Sequence, residues 1–388
     1  MQPRFLPPAL AVISLIAWAP AQSPAPRAVD LTAADRTKLK ATYFASAKPG
    51  PGVMLFHQCN RDRKMWDELA PRLAASGLNV LTLDFRGYGD SGGTAAYKLP
   101  PEQGQHTVVD VWPRDVDIAY EYLRSQPGVN KAVMGAGGAS CGVNQSILFA
   151  ERHPEVQSLV LLSGDTDRVG RRFLRNSPQL PIFACAADDD GNTLQVLQWI
   201  VEGSRNRGNR FQHYQAGGHG IEMFAPHPEL TGLIVNWFDT TLRKTPGRAP
   251  VNPDHAPHRN DALETLDEPG GAAKLADVLA RARRSDPNAT PFSETLANLI
   301  GYEHLQEGDT KGAIEIFKLN AKAFPNSPNV YDSLSDAYLA DAQSALAIQN
   351  AEKVLQLLES DSGDTAERRK LLRESAEQKL KQLRPVAH

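Results

Sequence analysis

The sequence predicts an α/β fold, a mostly parallel doubly wound sheet, followed by an all-α helical segment. Three observations carry this. From about residue 50 to residue 243, short β-branched apolar runs alternate with longer amphipathic ones, the pattern of successive βαβ units. A Pro-rich stretch at 245–257 (TPGRAPVNPDHAP) then blocks both helix and sheet. Beyond about Asp261 every run has helical spacing, and a weak internal repeat with a period of 34 residues appears.

Six runs read as strands: 52–57 (GVMLFH), 79–84 (NVLTLD), 131–136 (KAVMGA), 156–162 (VQSLVLL), 180–186 (LPIFACA) and 210–215 (RFQHYQ). Most are nearly continuous in apolar residues, as strands buried on both faces should be. Helices are expected between them at 65–76, 112–125, 141–152, 194–202 and 228–242. A chain of 388 residues exceeds one ordinary core. The expected organisation is a leader over 1–21, a sheet domain over 22–243, a linker over 244–260 and a helical domain over 261–388.

At the start of the chain, Arg4 precedes an apolar stretch at 9–19 that is too short to span a bilayer. Ala19 and Ala21 have the spacing that a signal peptidase reads. The segment predicts export to the periplasm or beyond after cleavage near Ala21; a retained membrane anchor is the alternative. No other segment is apolar for long enough to span a membrane, so no stable span is expected after cleavage. The composition, 41% hydrophobic and 22% charged, is that of a globular protein. A net charge of -3 offers no basis for binding nucleic acid or an anionic membrane. The three cysteines, Cys59, Cys141 and Cys185, cannot all pair, and their positions suggest no disulfide framework.

The strongest chemical signal is the GxSxG run Gly138-Ala139-Ser140-Cys141-Gly142, between an expected buried strand and an amphipathic helix. A nucleophile at such a sharp turn takes strained backbone angles, and flanking glycines let neighbouring chain pass close. A serine hydroxyl is inert without a base, so Ser140 needs a histidine. His219, in the glycine-rich run 216–220 (AGGHG) after the last strand, is the candidate; His213 lies inside that strand. The base needs a carboxylate in turn. Asp188-Asp189-Asp190 follow a strand directly, and Asp190 is preferred, with Asp189 next. Two backbone N–H donors should hold the oxyanion: Cys141 at the helix start, and Cys59 or Gln58 in the loop after the first strand of the series.

These features together, residues 52–93, the GxSxG turn, the nine-residue spacing from Pro181 to Asp190 and the GGHG loop, resemble the α/β-hydrolase superfamily. The likeness is to its dienelactone hydrolase-like and small bacterial esterase branches, and it covers about half the chain. The resemblance implies an α/β-hydrolase fold and a Ser140–Asp190–His219 triad. It further implies hydrolysis of a small ester or acyl substrate with neither metal nor organic cofactor. Amide, peptide or lactone cleavage would use the same machinery, and a non-catalytic periplasmic interaction protein is the alternative of another class.

Two departures from the family stand out. Its His-Gly before the oxyanion loop is here His57-Gln58, and its dienelactone hydrolases use cysteine as nucleophile, so a shifted register would put Cys141 in that role. Cys59 and Cys141 are expected to approach near the oxyanion hole, where oxidation would silence the enzyme. The segment 163–179 is too short for an inserted cap, which predicts a minimally capped, open site. Its arginines, Arg168, Arg171, Arg172 and Arg175, read as a solvated face or as an attractor for an anionic substrate.

In the C-terminal segment, Ile300, Gly301, Gly308, Ala313, Phe317 and Pro325 recur as Leu334, Ser335, Ala342, Ala347, Ala351 and Glu359, and Tyr338 stands where the first copy has His304. The period is that of tetratricopeptide repeats. Two copies cannot bury a solenoid core, so 261–284 and 365–383 should cap them. Such a domain either packs on the sheet domain or binds a protein partner.

Overall fold

The computed structural model of the chain describes residues 23–253, 261–360 and 363–384. The leader expected over residues 1–21 and the end of the Pro-rich stretch lie outside the described residues.

Eight strands form one sheet: β1 (Arg27–Thr32), β2 (Lys38–Phe44), β3 (Gly50–Phe56), β4 (Asn79–Leu83), β5 (Val129–Ala139), β6 (Val156–Leu162), β7 (Ile182–Ala187) and β8 (Arg210–Tyr214). Their order is β1-β2-β4-β3-β5-β6-β7-β8. The first two pairings are antiparallel and the rest parallel. The six expected strands are β3 to β8. The edge pair β1 and β2 is additional, because their burial is essentially alternate (Val29 and Leu31; Leu39, Ala41 and Tyr43, with Phe44 at the end of β2) and so gives no continuous apolar run.

Between the strands lie α1 (Leu69–Ala75), α2 (Pro101–His106), α3 (Trp112–Ser125), α4 (Cys141–Arg152), α5 (Arg168–Asn176) and α6 (Thr193–Gly203), and α7 (Glu229–Phe238) follows β8. Strand alternation sorts them onto two faces. Val53 and Leu55 of β3 meet Leu73 of α1 and Trp237 and Phe238 of α7, whereas Met54 and Phe56 meet Trp112 and Tyr120 of α3 and Phe149 of α4.

The C-terminal segment is α8 (Asp261–Glu264), α9 (Gly271–Ser285), α10 (Glu294–Gln306), α11 (Thr310–Ala323), α12 (Pro328–Ala340), α13 (Ser344–Leu358) and α14 (Ala366–Leu383). Helices α10 and α11 form one antiparallel pair and α12 and α13 the next, at the spacing of the sequence repeat. Small residues stand where the helices cross. A Cβ on Gly301 would lie 2.4 Å from the Phe317 ring, and Ser335, its counterpart, donates to the Ala347 carbonyl at 2.8 Å. The flanking helices lie at the ends, α9 on α11 and α14 on α13.

The sheet and the helical segment share a core. Leu174, Leu197 and Ile200 of α5 and α6 belong to the same apolar cluster as Leu266, Leu279, Leu296 and Ile300. This corrects the reading of the α5 arginines. Arg171 is only 3% exposed and pairs with Glu303 of α10, with Asp267 at 3.5 Å and the Trp199 ring 5.0 Å beneath its guanidinium. Arg168 reaches Glu307 at 3.0 Å and Arg175 reaches Asp267 at 3.4 Å, while Arg172 stays exposed. Three of the four arginines meet carboxylates more than ninety residues further along the chain, which a local reading of charge could not see.

Candidate active site

Each expected site residue sits just past the carboxyl end of a parallel strand, where loops of an open α/β sheet converge. Ser140 joins β5 to α4 with no intervening loop, at φ 52° and ψ -124°. A non-glycine residue in that region costs about 1–3 kcal/mol and persists only when its surroundings enforce it. The Ser140 N–H donates to the Leu162 carbonyl at 2.9 Å, and the Val143 N–H donates to the Ser140 carbonyl at 2.8 Å. The glycines on either side have a steric reason. A Cβ on Gly138 would stand 2.0 Å from the Gly142 carbonyl oxygen, and one on Gly142 would stand 2.4 Å from that of Phe56. Only bare backbone lets β3, β5 and α4 meet so closely.

The three consecutive acids after β7 have three different partners. Asp190, 10% exposed at its side chain, contacts His219 Nδ1 at 2.8 and 3.0 Å. Asp189 accepts from the Gly217 and Gly218 N–H groups at 3.0 Å, pinning the glycine loop that carries His219. Asp188 pairs with His213 at 2.8 Å, both half exposed, which takes His213 away from the site. The hydrogen bond to Asp190 raises the His219 pKa above that of an ordinary histidine, against the opposing effect of burial. A base must be unprotonated to accept the serine proton. Activity should therefore climb with pH through an inflection above 6.5, the ordinary histidine value, and Asp190→Asn should move that inflection down. A pH profile of kcat/KM checks both shifts.

Gln58 has a different role from the one expected. Its N–H points to Met65 Sδ at 3.4 Å, and its buried side chain accepts from the Ile221 N–H at 3.0 Å, tying the loop after β3 to the loop of His219. A Cβ on Gly220 would strike the same side-chain oxygen at 2.3 Å, so the glycine beside His219 makes room for it. With the Gln58 N–H occupied, Cys59 and Cys141 are the remaining candidate donors, and both line the cleft with Ser140. His57 is buried and structural: its Nε2 accepts from the Phe85 N–H at 3.0 Å, and burial lowers its pKa.

Cys59 and Cys141 are joined in a disulfide, and Cys185 is free and buried. The bond removes Cys141 as a nucleophile. It overturns the expectation of no disulfide framework, while the expected approach of Cys59 and Cys141 is found, since β3 and β5 lie side by side and bring two cysteines 82 residues apart together. Ser140 and His219 face the cleft with the bond in place, so the bond belongs to the site rather than blocking it. Loop closure over 82 residues corresponds to about 4.5 kcal/mol in the chain-entropy model. Cys59→Ala/Cys141→Ala should lower the unfolding free energy by up to that amount in denaturant titration, and should slow turnover by freeing the Cys59 loop.

Above Ser140 and His219 lies a cleft of about 560 Å³. Its far wall comes from the helical segment: Thr295, Asn298, Leu299 and Tyr302 of α10, Asn329 of α12 and Arg368 of α14. The 163–179 segment holds only α5 and no inserted cap, as expected, but the open site expected with it is corrected. A roof exists, but it is supplied by the C-terminal chain folding back rather than by an insertion. Among the described residues, no helix is long and apolar enough to cross a membrane, and no group of three or more His, Cys, Asp or Glu side chains could hold a metal ion.

An eight-stranded sheet with an antiparallel edge, a strained serine between β5 and α4, and an acid and histidine after β7 and β8 settle the architecture. The fold is that of the α/β-hydrolases. Residues 47–175 match the model of the serine aminopeptidase S33 family. An uncharacterised protein of Mycobacterium tuberculosis is 34% identical over 142 residues, 36% of this chain and 46% of that protein, so the match spans about half of that relative. A thiohydrolase of Aspergillus aculeatus is 26% identical over 113 residues, 29% of this chain and 33% of that protein. Among solved structures, the Pyrococcus furiosus esterase Pf2001 aligns with a TM-score of 0.46 at 18% identity, over 56% of this chain and 92% of its own. A CIB-like hydrolase from Thermoplasma acidophilum aligns at 0.45 and 15% identity, over 56% and 99%.

Proposed function

We propose that the protein is an exported serine hydrolase that cleaves carboxylic esters through an acyl-enzyme. The observation that carries this reading is the Asp190 carboxylate on His219 Nδ1 at 2.8 Å, with His219 sharing one cleft with the strained Ser140. Ser140 Oγ attacks the acyl carbon while His219 Nε2 takes its proton, and Asp190 holds the imidazole in the required tautomer and stabilises its charged form. The N–H groups of Cys141 and Cys59 receive the oxyanion. His219 then protonates the leaving alcohol, and water repeats the sequence to release the acid. Each proton is carried by the chain's own groups, so the steps call for neither metal nor organic cofactor.

Export is supported by the leader-like residues 1–21 and by the disulfide beside the nucleophile, since such bonds persist in oxidising compartments. The helical segment, a degenerate tetratricopeptide-like pair with flanking helices, serves in this reading as the roof of the substrate cleft rather than as a free docking surface. The match to the serine aminopeptidase S33 model makes amide cleavage by the same residues the second reading. A fluorophosphonate probe should label Ser140, and p-nitrophenyl esters should turn over faster than aminoacyl anilides. No labelling would refute the hydrolase reading and leave an interaction protein on a vestigial scaffold; faster anilide turnover would favour the amidase.

A further inference from the structure

The two candidate oxyanion donors, Cys59 and Cys141, are also the two halves of the disulfide. Apart from that bond they are anchored very differently. Cys141 opens α4, where the N–H groups of Ser140 and Val143 are both engaged and Gly142 is wedged against the Phe56 carbonyl. Cys59 lies in a turn, and among the described residues its own N–H and carbonyl form no hydrogen bond. Around it, the Gln58 amide donates to Asn60 Oδ1 at 2.6 Å, a bond that bypasses the Cys59 peptide. The sulfur is therefore the direct tether of that peptide. An N–H without a partner is free for an oxyanion, but it serves only while something fixes its direction.

The bond can also be reached. Both cysteines are partly exposed and line the cleft of Ser140, and Cys59 borders a second cavity, of about 700 Å³, walled by Tyr97 and Val109. Cys185 of β7 is fully buried, and burial pushes its thiol well up, so it supplies no thiolate that could exchange with the bond.

We infer that Cys59–Cys141 is a redox modification site that sets the oxyanion hole: the disulfide form is the working hydrolase, and a small dithiol converts it to a slow form. This rests on the serine hydrolase reading and names a regulation of that site. It reverses the expected sense of control, in which oxidation silences the enzyme. One thiolate of the dithiol attacks the Cys59 sulfur to form a mixed disulfide, and Cys141 leaves as a thiolate that takes up a proton. The second thiolate of the reagent then displaces Cys59, which is protonated in turn. The products are two cysteine thiols and the oxidised reagent, two electrons having passed to the protein. Two thiols do not fit where one disulfide sat, so the Cys59 turn shifts and its N–H no longer converges with that of Cys141. Asp190 keeps its contact with His219, so proton transfer is preserved while oxyanion stabilisation is lost. The chain would then stay slow in a reducing compartment and gain its full rate in an oxidising one.

The test measures p-nitrophenyl butyrate hydrolysis by the full chain with and without dithiothreitol, with free thiols counted by alkylation and mass spectrometry. Reduction should lower kcat by about 10- to 100-fold, less than complete removal of a donor, with KM little changed and with recovery on adding oxidised glutathione. Cys59→Ser/Cys141→Ser should show the slow rate whether or not dithiothreitol is present, and Cys185→Ala should respond as wild type does. Circular dichroism at the assay temperature should show the reduced protein still folded. Full activity with both thiols alkylated, a bond that dithiothreitol cannot open in the folded protein, or a loss of rate that appears only with unfolding would each overturn the inference. A double variant as fast as the oxidised wild type would do the same. Redox-blind turnover accompanied by fluorophosphonate labelling would sink this inference alone; absence of both turnover and labelling in the oxidised protein would sink the hydrolase reading beneath it.

Discussion

Ser140→Ala should lower ester turnover on the order of 10⁴-fold or more, with loss of fluorophosphonate labelling and little change in unfolding midpoint. The size follows from the arrangement. With the hydroxyl gone, His219 has no proton to take, and the oxyanion donors at Cys141 and Cys59 can act only on attack by water. The acids beside His219 provide an internal control, because Asp188, Asp189 and Asp190 differ in nothing but position. Asp190→Asn should cost about 10⁴-fold, since an amide on Nδ1 stabilises the wrong tautomer and no longer supports the charged imidazole. Asp189→Asn keeps a carbonyl for the Gly217 and Gly218 N–H groups and should cost about tenfold at most, through a looser loop. Asp188→Asn loses only the surface pair with His213 and should be close to neutral. Steady-state kinetics on a p-nitrophenyl ester would rank the three. Asp189→Asn falling as far as Asp190→Asn would refute this assignment of the base's partner.

The parts of this site that depend on local chain were legible in the sequence. Ser140 is marked by glycines whose absent side chains clear the Gly142 and Phe56 carbonyls, and that requirement is written within five residues. Asp190 follows the continuous apolar strand β7 and His219 sits in the glycine-rich loop after the mixed strand β8, so their placement came with the strands. What was not legible depends on long-range pairing. The antiparallel pair β1 and β2 buries mainly alternate residues, a signal that a search for buried runs passes over, although the period of two was there to be counted. The approach of Cys59 and Cys141 followed from the expected oxyanion loop, but that it is a bond lying beside an open cleft needs the packed β3 and β5. Gln58 looked like a misfit in a glycine position. Only the folded chain shows its side chain reaching Ile221, 163 residues away, with Gly220 making room for it.

The same limit applies with most force to Arg171, and its replacement should have the largest effect on stability. Arg171→Met should destabilise the fold by about 3–5 kcal/mol, because it leaves the Glu303 carboxylate in a buried place without its cation. Burial already raises the Glu303 pKa, so the guanidinium is what makes the charged form tolerable there. Arg168 and Arg175 still reach Asp267 but contact Glu303 in neither case, so they cannot substitute. Removing both partners in Arg171→Met/Glu303→Leu should restore much of the loss, since an apolar pair of similar volume avoids two desolvation costs. Denaturant unfolding of the two singles and the double closes this cycle, and a double mutant no better than Arg171→Met alone would show that the effect is packing against Trp199 rather than charge. The consequence for function follows from geometry. Glu303 adjoins Tyr302, which lines the cleft, so loosening α10 moves the wall that faces Ser140. Arg171→Met should therefore raise KM for the ester more than it lowers kcat, because the nucleophile, base and acid all stand on loops of the sheet that this clamp does not touch.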